Sequence, residues 1–223
     1  MTQALKDEAL EYVQREILFG FDDVTTILEN IQDMFYDVED FDAKWLHAVI
    51  SEQFGLHQKV SQEWKQPTDF DRLRTVFDQL NKEKIVSLHK VGFTRQDAEH
   101  DCREIIDELA ALGIKAKGYC YYHIQDLERA MDENILFIGY DSIDYNDEIA
   151  IDIAKRILVL LEENGFQTSW NGSVETRLKI EDINWQKAYD GIDYNYDHVF
   201  SIFTKEHTPT TKNNRKKPFW KFW

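Results

Sequence analysis

The sequence predicts an α+β protein: an N-terminal helical region, then a small α/β unit with a mostly parallel sheet of about four strands ending in an antiparallel hairpin. Three observations predict this. Residues 1–66 carry helical periodicity and offer no strand candidate. From about residue 119, short apolar runs alternate with helical stripes. Asn171-Gly172 then precedes strict apolar–polar alternation, as expected of a tight hairpin with one wet face. The chain divides into a helical region over 1–66, an α/β region over 67–190, a connecting segment over 191–204 and a basic aromatic tail over 205–223.

Val24, Ile27, Leu28, Ile31 and Phe35 recur at three- and four-residue steps, which places them on one helical face. Asp22 or Asp23 can cap this helix, and the one before it ends near Gly20. A third helix starts near Asp42, with Trp45, Leu46, Val49, Ile50 and Phe54 facing inward. Pro67 stops that run, and Thr68 or Asp69 can cap the next helix, whose stripe is Phe70, Leu73, Val76, Phe77 and Leu80. Thr94-Arg95-Gln96-Asp97 is a capping box with Asp in the usual Glu slot, and the helix it opens stops at Gly113.

The alternation then begins. Tyr119–His123 reads as a strand, Gln125–Asp132 as a helix and Ile135–Tyr140 as a strand. Asp147–Asn164 is a helix with Ile149, Ile153, Ile157 and Leu161 in one line, and Phe166–Trp170 is a strand. Val174, Thr176, Leu178 and Ile180 alternate with charged residues as the hairpin's second strand. Strand–helix–strand order implies parallel pairing through right-handed crossovers.

Composition narrows the function classes. A hydrophobic share of 43% with 13% aromatics excludes disorder. A formal charge of −16 repels phosphate backbones, so duplex nucleic acid is not an expected partner; the charge serves solubility alone, which is the first reading, or favours a basic protein partner. Two cysteines, Cys102 and Cys120, make no disulfide framework. The charged N-terminus lacks a signal-peptide core and no apolar run reaches spanning length, so the expected location is cytoplasmic.

Four stretches resemble a bacterial family of domains of unknown function, the 6891 family. They are Trp64–Leu73 with Phe77 and Leu80, Gly118–Leu127, Ser169–Ser173 and Ile183–Lys187. The run Tyr-Cys-Tyr-Tyr-His-Ile-Gln-Asp within the second is the most specific of them. The resemblance covers most of the chain to about residue 187 and implies a shared fold without an activity. Many relatives carry a cysteine cluster after the helix that begins at Asp69. Here that region reads Phe93-Thr94-Arg95-Gln96, so a metal or redox role tied to the cluster does not transfer.

A metal could draw on His100, Cys102, Cys120 and His123 by ligand type. Spacing opposes it, because two residues on a helix, or three on a strand, point to opposite sides. No metal site and no cofactor are expected; a phosphate loop, a Gly-x-Ser-x-Gly elbow, a His-Glu-x-x-His motif and a calcium loop are all missing. Ligands of open parallel sheets bind beyond the carboxyl ends of strands. Those ends are predicted to be His123 with Asp126, Tyr140 with Asp141 and Ser142, and Trp170 with Asn171. His123, Asp126, Asp141 and Ser142 are the candidate catalytic groups, and Tyr140, Trp170 and Asn171 the candidate ligand contacts. The structural alternative is that the carboxylates stabilise helix N-termini and His123 bonds the next turn. Ile-Asp-Tyr-Asn occurs at 143–146 and 192–195, too short to establish a repeat.

The tail carries Lys205, Lys212, Arg215, Lys216, Lys217 and Lys221 against Glu206, with Phe219, Trp220, Phe222 and Trp223 at its end. With −16 overall, the rest of the chain is 21 units negative. Docking of the tail on its own body is the first expectation, and binding to a membrane surface or single strand the second. The function expected is an acidic intracellular protein-binding module without catalysis. The alternative is a small-molecule-binding or hydrolytic protein using the strand-end crevice around His123.

Overall fold

The computed structural model describes residues 1–39 and 41–205; the tail expectation lies outside the described residues. The chain forms two compact units, which divide between Lys65 and Gln66 and again around 186–192. The first holds α1 (Gln3–Phe19), α2 (Val24–Met34) and α3 (Ala43–Ser61), capped by Thr2, Asp23 and Asp42. Their stripes Ala9, Val13 and Ile17, Ile27 and Ile31, and Leu46 and Ile50 meet in one buried core. Segment 186–192 belongs to this unit, and its buried Lys187 donates from Nζ to the Gly20 carbonyl at 2.8 Å.

The second unit runs α4 (Asp69–Lys82), β1 (Ile85–Leu88), α5 (Arg95–Ala111), β2 (Gly118–Tyr121), α6 (Ile124–Glu133), β3 (Leu136–Ser142), α7 (Asp147–Glu163), β4 (Gln167–Ser169), β5 (Leu178–Glu181) and α8 (Tyr196–Thr204). Thr94 and Asp97 form the capping box of α5 as the sequence predicts. The described sheet has five strands in the order β1-β2-β3-β5-β4. Of its pairs, β1–β2 is parallel, while β2–β3, β3–β5 and β5–β4 are antiparallel. The sheet is therefore mixed, and the mostly parallel sheet predicted from strand–helix alternation is corrected.

The reason lies in α6. The 17-residue helices α5 and α7 are each about 25 Å long and return the chain to the end where it started, giving crossovers between co-directional strands. Helix α6 has 10 residues, about 15 Å. It follows β2 with Tyr122 and His123 between and ends at Asn134 in the left-handed region, so β3 runs back beside β2. Two further elements escape sequence reading: strand β1, which is buried along its whole length, and helix α8 inside the supposed connecting segment.

The predicted tight hairpin is also corrected. Strand β5 starts at Leu178, not Val174. Asn171 Oδ1 accepts from the Ser173 N–H at 3.0 Å and the Thr176 hydroxyl at 2.5 Å. These short polar side chains close a local turn, which competes with the strand ladder over 170–177.

Helices α4 and α7 cover one face of the sheet, where Arg156 of α7 grips Glu83 after α4 at 2.6 and 2.8 Å. Helices α5 and α6 cover the other. Two asparagines finish the outer side of β1. The Asn81 amide exchanges bonds with the Ser87 N–H and carbonyl, at 2.9 and 3.3 Å. The Asn195 amide does the same for His89, at 2.8 and 2.8 Å.

Candidate functional site

Alternation along β2 carries Tyr119, Tyr121 and then His123 to the α5 side of the sheet. Across β3, register sets Asp141 opposite Tyr119 and Gly139 opposite Tyr121. One line of α5, Arg95, Glu99 and Arg103 at four-residue steps, lies over these tyrosines. The Tyr121 hydroxyl donates to Glu99 Oε1 at 3.2 Å, and Arg95 Nε donates to the same oxygen at 2.7 Å. The Arg103 guanidinium lies 6.0 Å from the Tyr119 ring and 4.4 Å from that of Tyr145, and donates to the Ile143 carbonyl at 3.3 and 3.4 Å. The buried Tyr119 hydroxyl has no hydrogen-bond partner among the described residues. Burial, then Glu99, Asp141 and Cys102, pushes its pKa up, so it is a neutral donor. Burial pushes the Asp141 carboxyl up as well.

His123 begins α6 and is its N-cap. Its Nδ1 accepts from the Asp126 N–H at 3.2 Å, and Asp126 Oδ2 accepts from the His123 N–H at 3.3 Å. Arg177, just before β5, places Nη1 at 2.7 and 2.8 Å from the two Asp126 oxygens and 3.2 Å from His123 Nε2. The guanidinium also stacks on Phe137 at 4.9 Å. Side chains of His123 and Asp126 are buried, while Arg177 keeps 29% exposure. With Nδ1 accepting, the neutral ring carries its one proton on Nε2, which lies 3.2 Å from Asp126 Oδ2 as well as 3.2 Å from Arg177 Nη1. Burial lowers the His123 pKa, with Arg177 adding to it and Asp126 and Asp97 opposing. Burial raises the Asp126 carboxyl against the pull of Arg177 and the imidazole.

The expected common rim does not form. Ser142 and Asp141 pair with Gly118 and Tyr119, at the start of β2, while His123 lies past its end. Ser142 closes the turn before α7: its hydroxyl accepts from the Asn146 N–H at 2.6 Å and donates to the Asn146 carbonyl at 3.2 Å. Asp141 Oδ1 accepts from the Ser142 N–H at 2.7 Å. Tyr140, Trp170 and Asn171 do come together, over the 170–177 loop. The Tyr140 hydroxyl donates to the Ser173 and Thr176 carbonyls at 3.2 Å, and Trp170 Nε1 donates to the Ser173 carbonyl at 3.1 Å.

Of the metal-type residues, His100 is exposed beside Glu104, and Cys120 Sγ donates to the Ser87 hydroxyl at 3.2 Å. Among the described residues no group of three or more His, Cys, Asp or Glu side chains is placed to hold a metal. Sequence reading missed Arg177, Glu99 and Arg103. The first sat in a stretch read as a wet strand face, and the other two lie outside the α5 apolar stripe. The period-two row Tyr119, Tyr121, His123 was the available signal.

At the opposite end of the sheet, a groove of about 690 Å³ opens between α5 and α7. Ile85, Ile106, Ile114, Ile143, Ile149 and Ile153 line it. Asp107, Asp144, Asp152, Lys115, Lys117 and the Glu83–Arg156 pair form its rim.

These features define an α+β protein whose second unit carries a mixed five-stranded sheet, a buried His–Asp–Arg cluster at one end and an apolar groove at the other. The chain belongs to the family described as domain of unknown function DUF6891, whose model matches residues 2–189. No curated protein and no solved structure matches it. No described helix is long and apolar enough to cross a membrane.

Proposed function

We propose that the chain is a non-catalytic, intracellular protein-binding module whose partner carries a basic surface. The observation supporting this reading is the engagement of every candidate catalytic group. The His123 ring is engaged at both nitrogens by Asp126 and Arg177, Asp126 is held by Arg177, and the Ser142 hydroxyl is committed to a turn. The formal charge of −16 favours a basic partner and faster encounter with it. The test is isolation of the tagged chain from its native host at low salt. A stoichiometric basic polypeptide that rebinds the purified chain, and is released by salt, supports the proposal. A monodisperse chain with nothing bound overturns it.

One observation favours a second reading, small-molecule binding beneath α5: the Tyr119 hydroxyl has no hydrogen-bond partner among the described residues, and its ring lies 6.0 Å from the Arg103 guanidinium, which bonds a carbonyl and stacks on Tyr145. A metabolite set is screened by thermal shift. A compound that raises the melting temperature of wild type, and not of Tyr119→Phe, supports this reading. The binding form is favoured over the hydrolytic one, because Ser142 lies beside the first residue of β2 and His123 past its last.

A further inference from the structure

We propose that the isoleucine groove between α5 and α7 is the docking site for a basic amphipathic helix of the partner protein. The inference rests on the basic-partner reading and adds the place, and the kind of element, through which the partner binds. Every residue that lines the groove belongs to the second unit. Its first support is an apolar stripe that outruns its cover. Ile149, Ile153, Ile157 and Leu161 repeat at four-residue steps along α7. The last three are buried, while Ile149 is 46% exposed. Ile149 and Ile153 line the groove together with Ile106 of α5 and Ile143 after β3. Ala110 and Ala116 line it too, and their short side chains leave room above the isoleucines. Its volume of about 690 Å³ takes a few apolar side chains, and an amphipathic helix laid by its apolar face into such a groove is a recurring mode of recognition.

The second support is charge. On one wall, residues 104–111 of α5 carry Glu104, Asp107 and Glu108. On the other, residues 143–154 carry Asp144, Asp147, Glu148 and Asp152. All of these acids are exposed, and neither stretch holds a lysine or arginine. Asp107 and Asp144 have no ion pair among the described residues, and Asp152 has Lys155 at 3.7 Å. Lys115, Lys117 and Arg156 also line the groove and oppose a cation. Arg156, however, is taken by Glu83 at 2.6 and 2.8 Å, and Lys117 helps to hold that carboxyl below its usual range. Acid walls on both sides of an apolar floor match a helix with one apolar face and lysine or arginine beside it. The net charge of −16 adds long-range attraction for such a helix and repels a second, equally acidic copy of the chain.

The test titrates the full chain with a synthetic peptide of leucine and lysine, about four helical turns long, with its leucines on one face. Two controls accompany it: the same composition with the leucines spread round the helix, and the same order with glutamate for lysine. Isoleucine methyl signals report the site. Those of Ile106, Ile143, Ile149 and Ile153 are expected to shift saturably with the first peptide, and those of Ile27, Ile31 and Ile50 in the first unit to stay in place. Ile149→Ser, and separately Asp107→Asn with Asp144→Asn, are each expected to weaken binding roughly fivefold or more. The substituted positions are exposed, and unchanged methyl signals of the buried Ile138 and Ile180 check that the variants fold. Equal shifts from either control peptide, wild-type affinity in both variants, or no shift at the groove overturns the proposal. Groove shifts that appear on concentrating the chain without peptide overturn it in favour of a second copy. The probe comes from no host, so these outcomes leave the basic-partner reading to its own isolation experiment. An isolated basic partner whose affinity Ile149→Ser leaves unchanged overturns the groove alone.

Discussion

The Tyr121 ring occupies the space that a side chain at Gly139 would need. The two residues are register partners on β2 and β3, and a Cβ at Gly139 would lie 2.5 Å from the ring. The glycine lets Tyr121 lean over β3 while its hydroxyl meets Glu99 of α5.

Gly139→Ala therefore overpacks the sheet and is expected to lower stability by about 1–3 kcal/mol in chemical denaturation. Gly55, inside α3 with open space around its Cβ, is the control. Gly55→Ala is expected to raise stability by about 0.5–1 kcal/mol through helix propensity.

The Arg177–Asp126 pair has one partner almost fully buried and one partly exposed. Arg177→Met leaves a buried carboxylate without its cation and is expected to cost about 3 kcal/mol by denaturant titration. Adding Asp126→Leu removes that charge and is expected to recover part of the loss. Equal and additive losses in the double variant would show that the two groups do not interact.

His123 gives a pH signature. Its pKa is depressed in the folded chain, so its contribution is present above the ordinary value of 6.5 and is lost as pH falls through the folded value. Asp101 acts with the opposite sign: raised by burial to about 6, it contributes below its ordinary pKa and that contribution is lost as pH rises through about 6. A variant comparison separates them. His123→Asn keeps a good N-cap, and its stability relative to wild type is expected to rise as pH falls from 7.5 to about 5. A pH-independent difference would show that the imidazole titrates alike in folded and unfolded chains.

Both thiols are expected to be unreactive in the native protein. Burial holds Cys102 well above its ordinary pKa and pushes Cys120 up to about 12. A thiol reagent should modify neither cysteine until denaturant is added, and both afterwards. Rapid reaction of either in the native state would contradict the packing of α5 on β2.

Most helices were legible because their apolar stripes and caps are local signals. Thr94 and Asp97 bond each other as their spacing implies, Asp23 caps α2 as proposed, and α3 begins just after Asp42, where a helix start was expected. Strand direction was not legible, because it depends on whether a connecting helix returns the chain, and α6 does not. Ile85–Leu88 is too short for alternation to mark it as a strand, since all four of its residues are buried. The doubled Ile-Asp-Tyr-Asn held information that its shortness concealed. Asn146 caps α7 and Asn195 occupies the position before α8, so the second copy marked a helix start. At the site, the His123–Asp126 spacing was readable as a cap. Arg177 was not, since its partners lie 51 and 54 residues away and meet it only through the sheet.

Asn81 and Asn195 have a consequence for assembly. By pairing with Ser87 and His89 as a neighbouring strand would, their amides use the main-chain groups that an incoming β-segment needs. On the far flank, β4 is three residues long, with Gln167 and Ser169 exposed. Neither margin offers a long apolar template for strand addition, which disfavours polymerisation through extension of the sheet and leaves side-chain surfaces to carry recognition.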